Sequence, residues 1–266
     1  MSNQATTTDD GPAASTAPIK VNHVPFDAPW VWLDAGWKDL WENPKVSLGF
    51  GAAVSAAAFV ILVGLTQLGW ESMILVLAGG FLIIAPFIAV GLYDTSRRIK
   101  AGEETSLNLA LTAGFRAKGQ LIFMGAILLL IYLAWVRVAL LLFALFLGDL
   151  TLPPASEFIP TLLFTPHGLG LLVVGTAVGA VFAALVFVIT AVAVPMLLTR
   201  NVDAFTAMSH SIAAVRQNPK PMALWAVLIA GFIVLGIATL FFGVIFAFPL
   251  IAHATWHAYD AIISDA

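Results

Sequence analysis

The hydrophobic positions of this chain fall into long blocks separated by short polar breaks. Residues 44–68 and 72–92 are apolar almost throughout, and Gly69-Trp70-Glu71 makes a tight polar turn between them. A bilayer core about 30 Å thick needs roughly 20 apolar residues of helix to cross it, and both blocks are long enough. Residues 119–135 and 168–198 supply two more blocks. A last apolar stretch runs from Pro221 to Thr255 and is expected to fold back near Gly243, giving spans at 221–241 and 244–262. From Lys220 to Tyr259 the chain makes roughly 60 Å of helix at about 1.5 Å per residue, just enough for two crossings. The pattern predicts an all-α polytopic transmembrane bundle of six spans. Four spans with re-entrant hairpins is the alternative.

Polar-faced segments surround these blocks. Residues 1–29 are rich in Thr, Asp, Ala and Pro and contain no apolar run. A signal peptide needs a basic start followed by a hydrophobic stretch, so this segment is expected to be a disordered tail ahead of a single membrane domain, 30–266. Residues 30–42 follow, with Trp30, Leu33, Trp37, Leu40 and Trp41 on one helical face and Asp34, Lys38, Asp39 and Glu42 largely on the other. This pattern predicts an amphipathic helix lying at the bilayer surface with its indoles among the headgroups.

Two signatures recur along the chain. Asn43-Pro44-Lys45 precedes the first span and Asn218-Pro219-Lys220 the fifth, each read as an Asn cap with proline at the first helical position. The first and last hairpins close on Tyr93-Asp94 and Tyr259-Asp260. The middle region looks like a diverged copy: a polar-faced helix over 105–115, then Arg116 and Lys118, then spans three and four. The expected unit is an interfacial helix plus a transmembrane hairpin, present three times in parallel. Secondary transporters are commonly built from inverted repeats instead.

Composition and charge narrow the field. The chain of 266 residues is 61% hydrophobic and only 10% charged, against about 25% charge in a soluble domain. A net charge of -3 does not suit a nucleic-acid binder, which displays a basic patch. The absence of cysteine excludes disulfide scaffolds, thiolate metal sites and a cysteine nucleophile. The basic residues set the orientation. Lys38, Lys45, Arg97, Arg98, Lys100, Arg116, Lys118, Arg200, Arg216 and Lys220 all flank one side of the spans, whereas the turn at Glu71 and residues 148–166 carry none. The positive-inside rule then puts both termini in the cytoplasm.

Few residues suggest chemistry. Arg137 is the one basic residue without a cytoplasmic place. Either it is buried and marks a ligand or partner site, or the third span stops near Trp135, in the outer aromatic belt. Arg137 then snorkels outward, and 138–147 forms a separate surface helix. The second account is preferred. Residues 149–166 make a Pro-rich outer segment that could lie on the membrane, cap the bundle or meet a partner. His253 and His257 share a face of the last helix, but no histidine lies inside another span to complete a haem or metal site, so both are read as interfacial and satisfied by water. Gly175 and Gly179 form a small-residue ridge on span four. Pro86 and Pro195 are candidate kinks. No carboxylate falls at mid-membrane, where a proton-driven pump would carry a relay. No phosphate loop, metal-binding motif or serine triad is legible, so no catalytic, cofactor-binding or metal residue is assigned.

Trp37-Lys-Asp-Leu-Trp-Glu-Asn-Pro44, Phe87-Ile-Ala-Val-Gly-Leu-Tyr-Asp94 and the later Pro249…Tyr259-Asp260 ending resemble DUF2189, a bacterial integral-membrane family of unknown function, over roughly residues 30–263. Some members carry the label of a cytochrome c oxidase subunit. The resemblance implies an inner-membrane setting and an oxidase-associated role, with no functional residues to transfer. The expected function is a non-catalytic accessory or assembly component of an inner-membrane, respiratory-type complex. The alternative is a transporter for a small or lipophilic solute, lined by Thr66, Gln67, Asn108, Gln120, Tyr132 and Arg137. A sealed core with an apolar outer groove favours the first, and a cavity reaching Arg137 the second. The expected partners are the lipid bilayer and another inner-membrane protein complex, with no nucleic acid. Oligomeric state is left open.

Overall fold

The computed structural model describes residues 19–70, 73–116, 118–148 and 155–265. Strand β1 (Ile19–Val21) pairs antiparallel with β2 (Ile263–Asp265), so the two ends of the described chain meet on one face of the molecule, here the terminal face. Residues 19–29 therefore do not belong to a disordered tail: they form β1 and lead into α1 (Ala28–Glu42). Residues 1–18 of that expected tail lie outside the described residues.

The rest is helical. α2 (Pro44–Gln67) rises from the terminal face, and α3 (Met73–Ile88) with α4 (Val90–Ala101) returns. After α5 (Leu107–Arg116), α6 (Lys118–Leu147) rises again. α7 (Ala155–Phe164) then packs on α8 (Pro166–Thr190), and α8 with α9 (Ala193–Thr199) completes the second return. α10 (Ala204–Gln217) leads to the last pair, α11 (Pro219–Ala238) and α12 (Val244–Ile262). Among the described residues, five stretches are long and apolar enough to cross a membrane: Pro44–Gln67, Val76–Ala101, Gly119–Leu147, Pro166–Thr199 and Pro219–Ala238. The protein is an all-α, multi-pass integral membrane bundle. The sixth expected span, 244–262, forms as the single helix α12 but is not among the five, because His253, His257 and Asp260 occupy its second half.

Local chemistry sets the breaks. Asn43 accepts from the Val46 amide at 3.4 Å and caps α2. Asn218 makes no such cap on α11, since its side chain is drawn into tertiary bonds described below. Gly102, at φ 66°, ends α4 in a left-handed cap whose amide reaches Ile99. The second limbs of the first two hairpins break at Ala89 and at 191–192, each close to a proline, Pro86 or Pro195.

Three expectations are corrected. α6 continues unbroken to Leu147, because nothing between Trp135 and Leu147 breaks a helix, and it packs on α3 and α8. No separate surface helix forms over 138–147. Trp135 is buried and donates its indole N–H to the Val76 carbonyl at 3.0 Å, so it belongs to a helix contact and not to an outer belt. The glycine ridge is also split: a Cβ on Gly179 would lie 3.2 Å from the Trp135 ring, while one on Gly175 would meet nothing within 4 Å.

α1 is the third correction. Trp32, Leu33, Gly36 and Leu40 are buried, mainly against α12, while Trp30, Trp37 and Trp41 stay exposed. The five residues expected on one face divide, since a surface helix that also supports the bundle needs two apolar faces. Trp32 meets Trp225 edge-on at 5.9 Å, and Trp37 meets Trp41 at 5.6 Å in the exposed stripe.

The three short helices are held by similar contacts. Each short helix packs on the returning limb of the hairpin before it, with the last hairpin serving the first helix: α5 on α4, α10 on α8 and α9, α1 on α12. The approach is closest at small residues. A Cβ on Gly91 would lie 2.6 Å from the Ala110 carbonyl oxygen, and one on Gly36 would lie 2.6 Å from the Ala254 amide. Ser211 on α10 donates to Val188 O at 2.8 Å.

Candidate functional site

One cluster of buried polar groups gathers around α12. His253 is fully buried, and both its ring nitrogens are engaged: Nε2 is 2.9 Å from Ser47 Oγ on α2, and Nδ1 is 2.7 Å from Ser96 Oγ on α4. A neutral imidazole offers one donor and one acceptor, and a hydroxyl can serve as either. The trio is satisfied without any charge. One turn on, His257 Nε2 is 2.8 Å from the Asp39 carboxylate on α1. The reading of these two histidines as interfacial and water-satisfied is therefore corrected: tertiary packing provides their partners. Spacing along α12 announced a shared face, but the serines and Asp39 lie 157–218 residues away, beyond what periodicity can reveal.

Below this trio lies an ionic layer. Tyr259 Oη is 2.7 Å from Thr199 Oγ1 and accepts from Arg200 Nε at 3.1 Å, and Arg200 also reaches Asp265 at 2.6 Å. Lys100 binds Asp260 at 2.6 Å. Asp94 is buried and receives both Arg97 and Arg98, which extend to Glu103. Arg97, donating to the Glu103 carboxylate, holds that acid below the usual carboxylate range. The two Tyr-Asp pairs singled out in the sequence thus both sit in this layer. Tyr93 is buried, and Tyr259 anchors α9.

Amide side chains join neighbouring units. Asn43 donates to Thr105 Oγ1 at 2.6 Å, just ahead of α5. Gln120 accepts from the Ala204 amide at 2.9 Å, at the start of α10. Asn218 accepts from the Val24 amide and donates to Asn22 O, both at 2.9 Å, ahead of α1. Each rising helix begins with an amide that ties down the next short helix, and the third tie closes the ring.

Chemistry needs access, and the described residues offer little. Neither His253 nitrogen is free, and among the described residues no three His, Asp or Glu side chains stand close enough to hold a metal ion. One groove of about 230 Å³ is lined by Trp37, Phe232, Gly236, Thr239, Gly243 and Leu250 and is almost wholly apolar. A second hollow, about 310 Å³, lies at the surface beside Glu104, Asn108 and Thr112.

The residues offered for a transport path are not assembled. Gln120 is spent on Ala204, Thr66 bonds its own helix at Val63, and Arg137 is exposed on α6. Residues 149–154 of the Pro-rich segment lie outside the described residues. α7 covers part of α8, where Leu162 is buried and Phe164 is exposed.

Comparison with known families also points to a membrane protein. Residues 73–199 match DUF2189, a family of predicted integral membrane proteins. The match covers α3 to α9, including Phe87 to Asp94, and leaves the Trp37 and Tyr259 motifs outside it. No curated protein and no solved structure matches the chain. Of the buried trio, the DUF2189 region contains Ser96 and the flanking segments supply Ser47 and His253.

Proposed function

We propose that this DUF2189-region protein is a non-catalytic accessory or assembly component of an inner-membrane complex, with both termini cytoplasmic. The sealed terminal-side core carries this reading. Apart from the buried Trp256 indole N–H, its polar side chains are engaged in bonds within the protein, which builds a platform and exposes no substrate site among the described residues. What the molecule offers outward is apolar: the helix faces, the groove beside Trp37 and the stripe of Trp30, Trp37 and Trp41. Lys38, Arg97, Arg98, Lys100, Arg200, Arg216 and Lys220 lie on or near the terminal face, which agrees with a cytoplasmic placement. A transport reading would need a polar cavity reaching Arg137, and nothing described favours one.

The test is purification from the native membrane in mild detergent, followed by identification of what co-purifies. Stoichiometric recovery with one membrane complex, lost when Trp30, Trp37 and Trp41 are all changed to Ser, is the expected outcome. A clean homomer with no partner would overturn the proposal.

A further inference from the structure

The α11–α12 pair is shorter than the helix beside it. His253 lies level with Ser47 in the first turn of α2. Above that level α12 has only residues 244–252, about 14 Å of helix, whereas α2 has residues 48–67, about 30 Å. A direct bond marks where the pair ends. Ser55 Oγ donates to the Phe241 carbonyl in the turn between α11 and α12 at 2.9 Å, and Ser55 stands midway along α2 (Pro44–Gln67). The turn is therefore level with the middle of a helix that spans the bilayer.

The turn is also built for hydrocarbon. Residues 238–243 read Ala-Thr-Leu-Phe-Phe-Gly, whereas the turn beyond α2 carries Gln67, Trp70 and Glu71. Leu240 is 73% and Phe242 68% exposed. In a bilayer every backbone polar group must find a partner within the protein, and here every N–H from Thr239 to Ala247 does. Eight bond to carbonyls, and Gly243 donates to Thr239 Oγ1 at 2.7 Å. Two non-glycine residues, Leu240 at φ 50° and Phe241 at φ 67°, accept unfavourable backbone geometry to close this network. A turn in water has no need of such completeness.

We propose that α11–α12 is a re-entrant hairpin. It enters from the terminal face, turns near the bilayer midplane and returns, so that four segments cross completely: α2, α3–α4, α6 and α8–α9. An even number of crossings agrees with the β1–β2 pairing, which holds both ends on one face. The outer half of α2 is left without helical cover, and Phe59, Val60, Ile61 and Val63 are exposed there.

The absence of cysteine makes the test direct. Single variants Leu68→Cys, Leu240→Cys, Phe242→Cys and Ser209→Cys of the full chain are reacted with a membrane-impermeant maleimide in sealed vesicles of each orientation, then after denaturation. Leu68→Cys should label from the face opposite the termini and Ser209→Cys from the terminal face. Leu240→Cys and Phe242→Cys should label from neither face, and fully once denatured. Nitroxides at 240 and 242 should collide at least fivefold more with oxygen than with a polar nickel chelate, relative to the same ratio at 68. Labelling at 240 and 242 from the opposite face, within about threefold of the rate at 68, would overturn the proposal and establish a full crossing.

Discussion

Ser47 Oγ and His253 Nε2 lie 2.9 Å apart inside the bundle, joining the first turn of α2 to the middle of α12 across 206 residues of sequence. With Ser96 on the other ring nitrogen, the imidazole holds three helices in one register. A buried polar group deprived of its partner costs about 1–3 kcal/mol. Ser47→Ala and Ser96→Ala should each destabilise the protein within that range, measured by unfolding in detergent micelles. His253→Leu with both serines changed to Ala should recover part of the loss. Full additivity of the single changes would count against a coupled trio.

Gly36 and Gly64 should respond oppositely to alanine. A Cβ on Gly36 would meet the Ala254 amide at 2.6 Å, whereas Gly64 has nothing within 4 Å. Overpacking costs about 1–3 kcal/mol, so Gly36→Ala should lower the unfolding midpoint and loosen α1 from α12. Gly64→Ala removes a flexible residue from a helix interior and should stabilise by about 0.5–1 kcal/mol. Equal effects at the two positions would contradict the close approach of α1 and α12.

The amide ties should be separable from simple helix capping. Asn43 both caps α2 and holds Thr105, while Asn218 holds only the neighbouring segments. Asn218→Asp keeps an acceptor for the Val24 amide but loses the donor to Asn22. Hydrogen exchange should then quicken at 22–24 and in the β1–β2 pair, with α11 unaffected. Faster exchange confined to the first turn of α11 would instead indicate an ordinary cap.

Acid should loosen α10 from its start. Asp203 accepts from the Thr206 hydroxyl and amide, at 2.6 and 2.9 Å, and these bonds hold its carboxyl below the usual range. A depressed acid contributes stability that is present above its unfolded value and lost as pH falls through its folded one. Exchange of the first α10 amides should therefore rise as pH drops below the carboxylate range. In Asp203→Asn this dependence should vanish while much of the cap remains. Unchanged pH dependence in that variant would assign the effect to another group.

The apolar blocks at 44–68, 168–198 and 244–262 are close to α2, α8–α9 and α12, and the turn near Gly243 falls between α11 and α12. The length of a hydrophobic run is a one-dimensional property, so it is legible in residue order. By itself the sequence determined an all-α integral membrane protein and its short helices before each hairpin. Partnership is not one-dimensional. Which tryptophans of α1 turn inward depends on α12, 218 residues away at the Asp39–His257 contact. Whether Trp135 sits in an outer belt or in a helix contact depends on Val76 offering a carbonyl. The depth of the last turn depends on meeting Ser55 and not the end of α2. Tertiary structure alone decided these, because apolar residues are interchangeable to a bilayer but not to the helix packed against them.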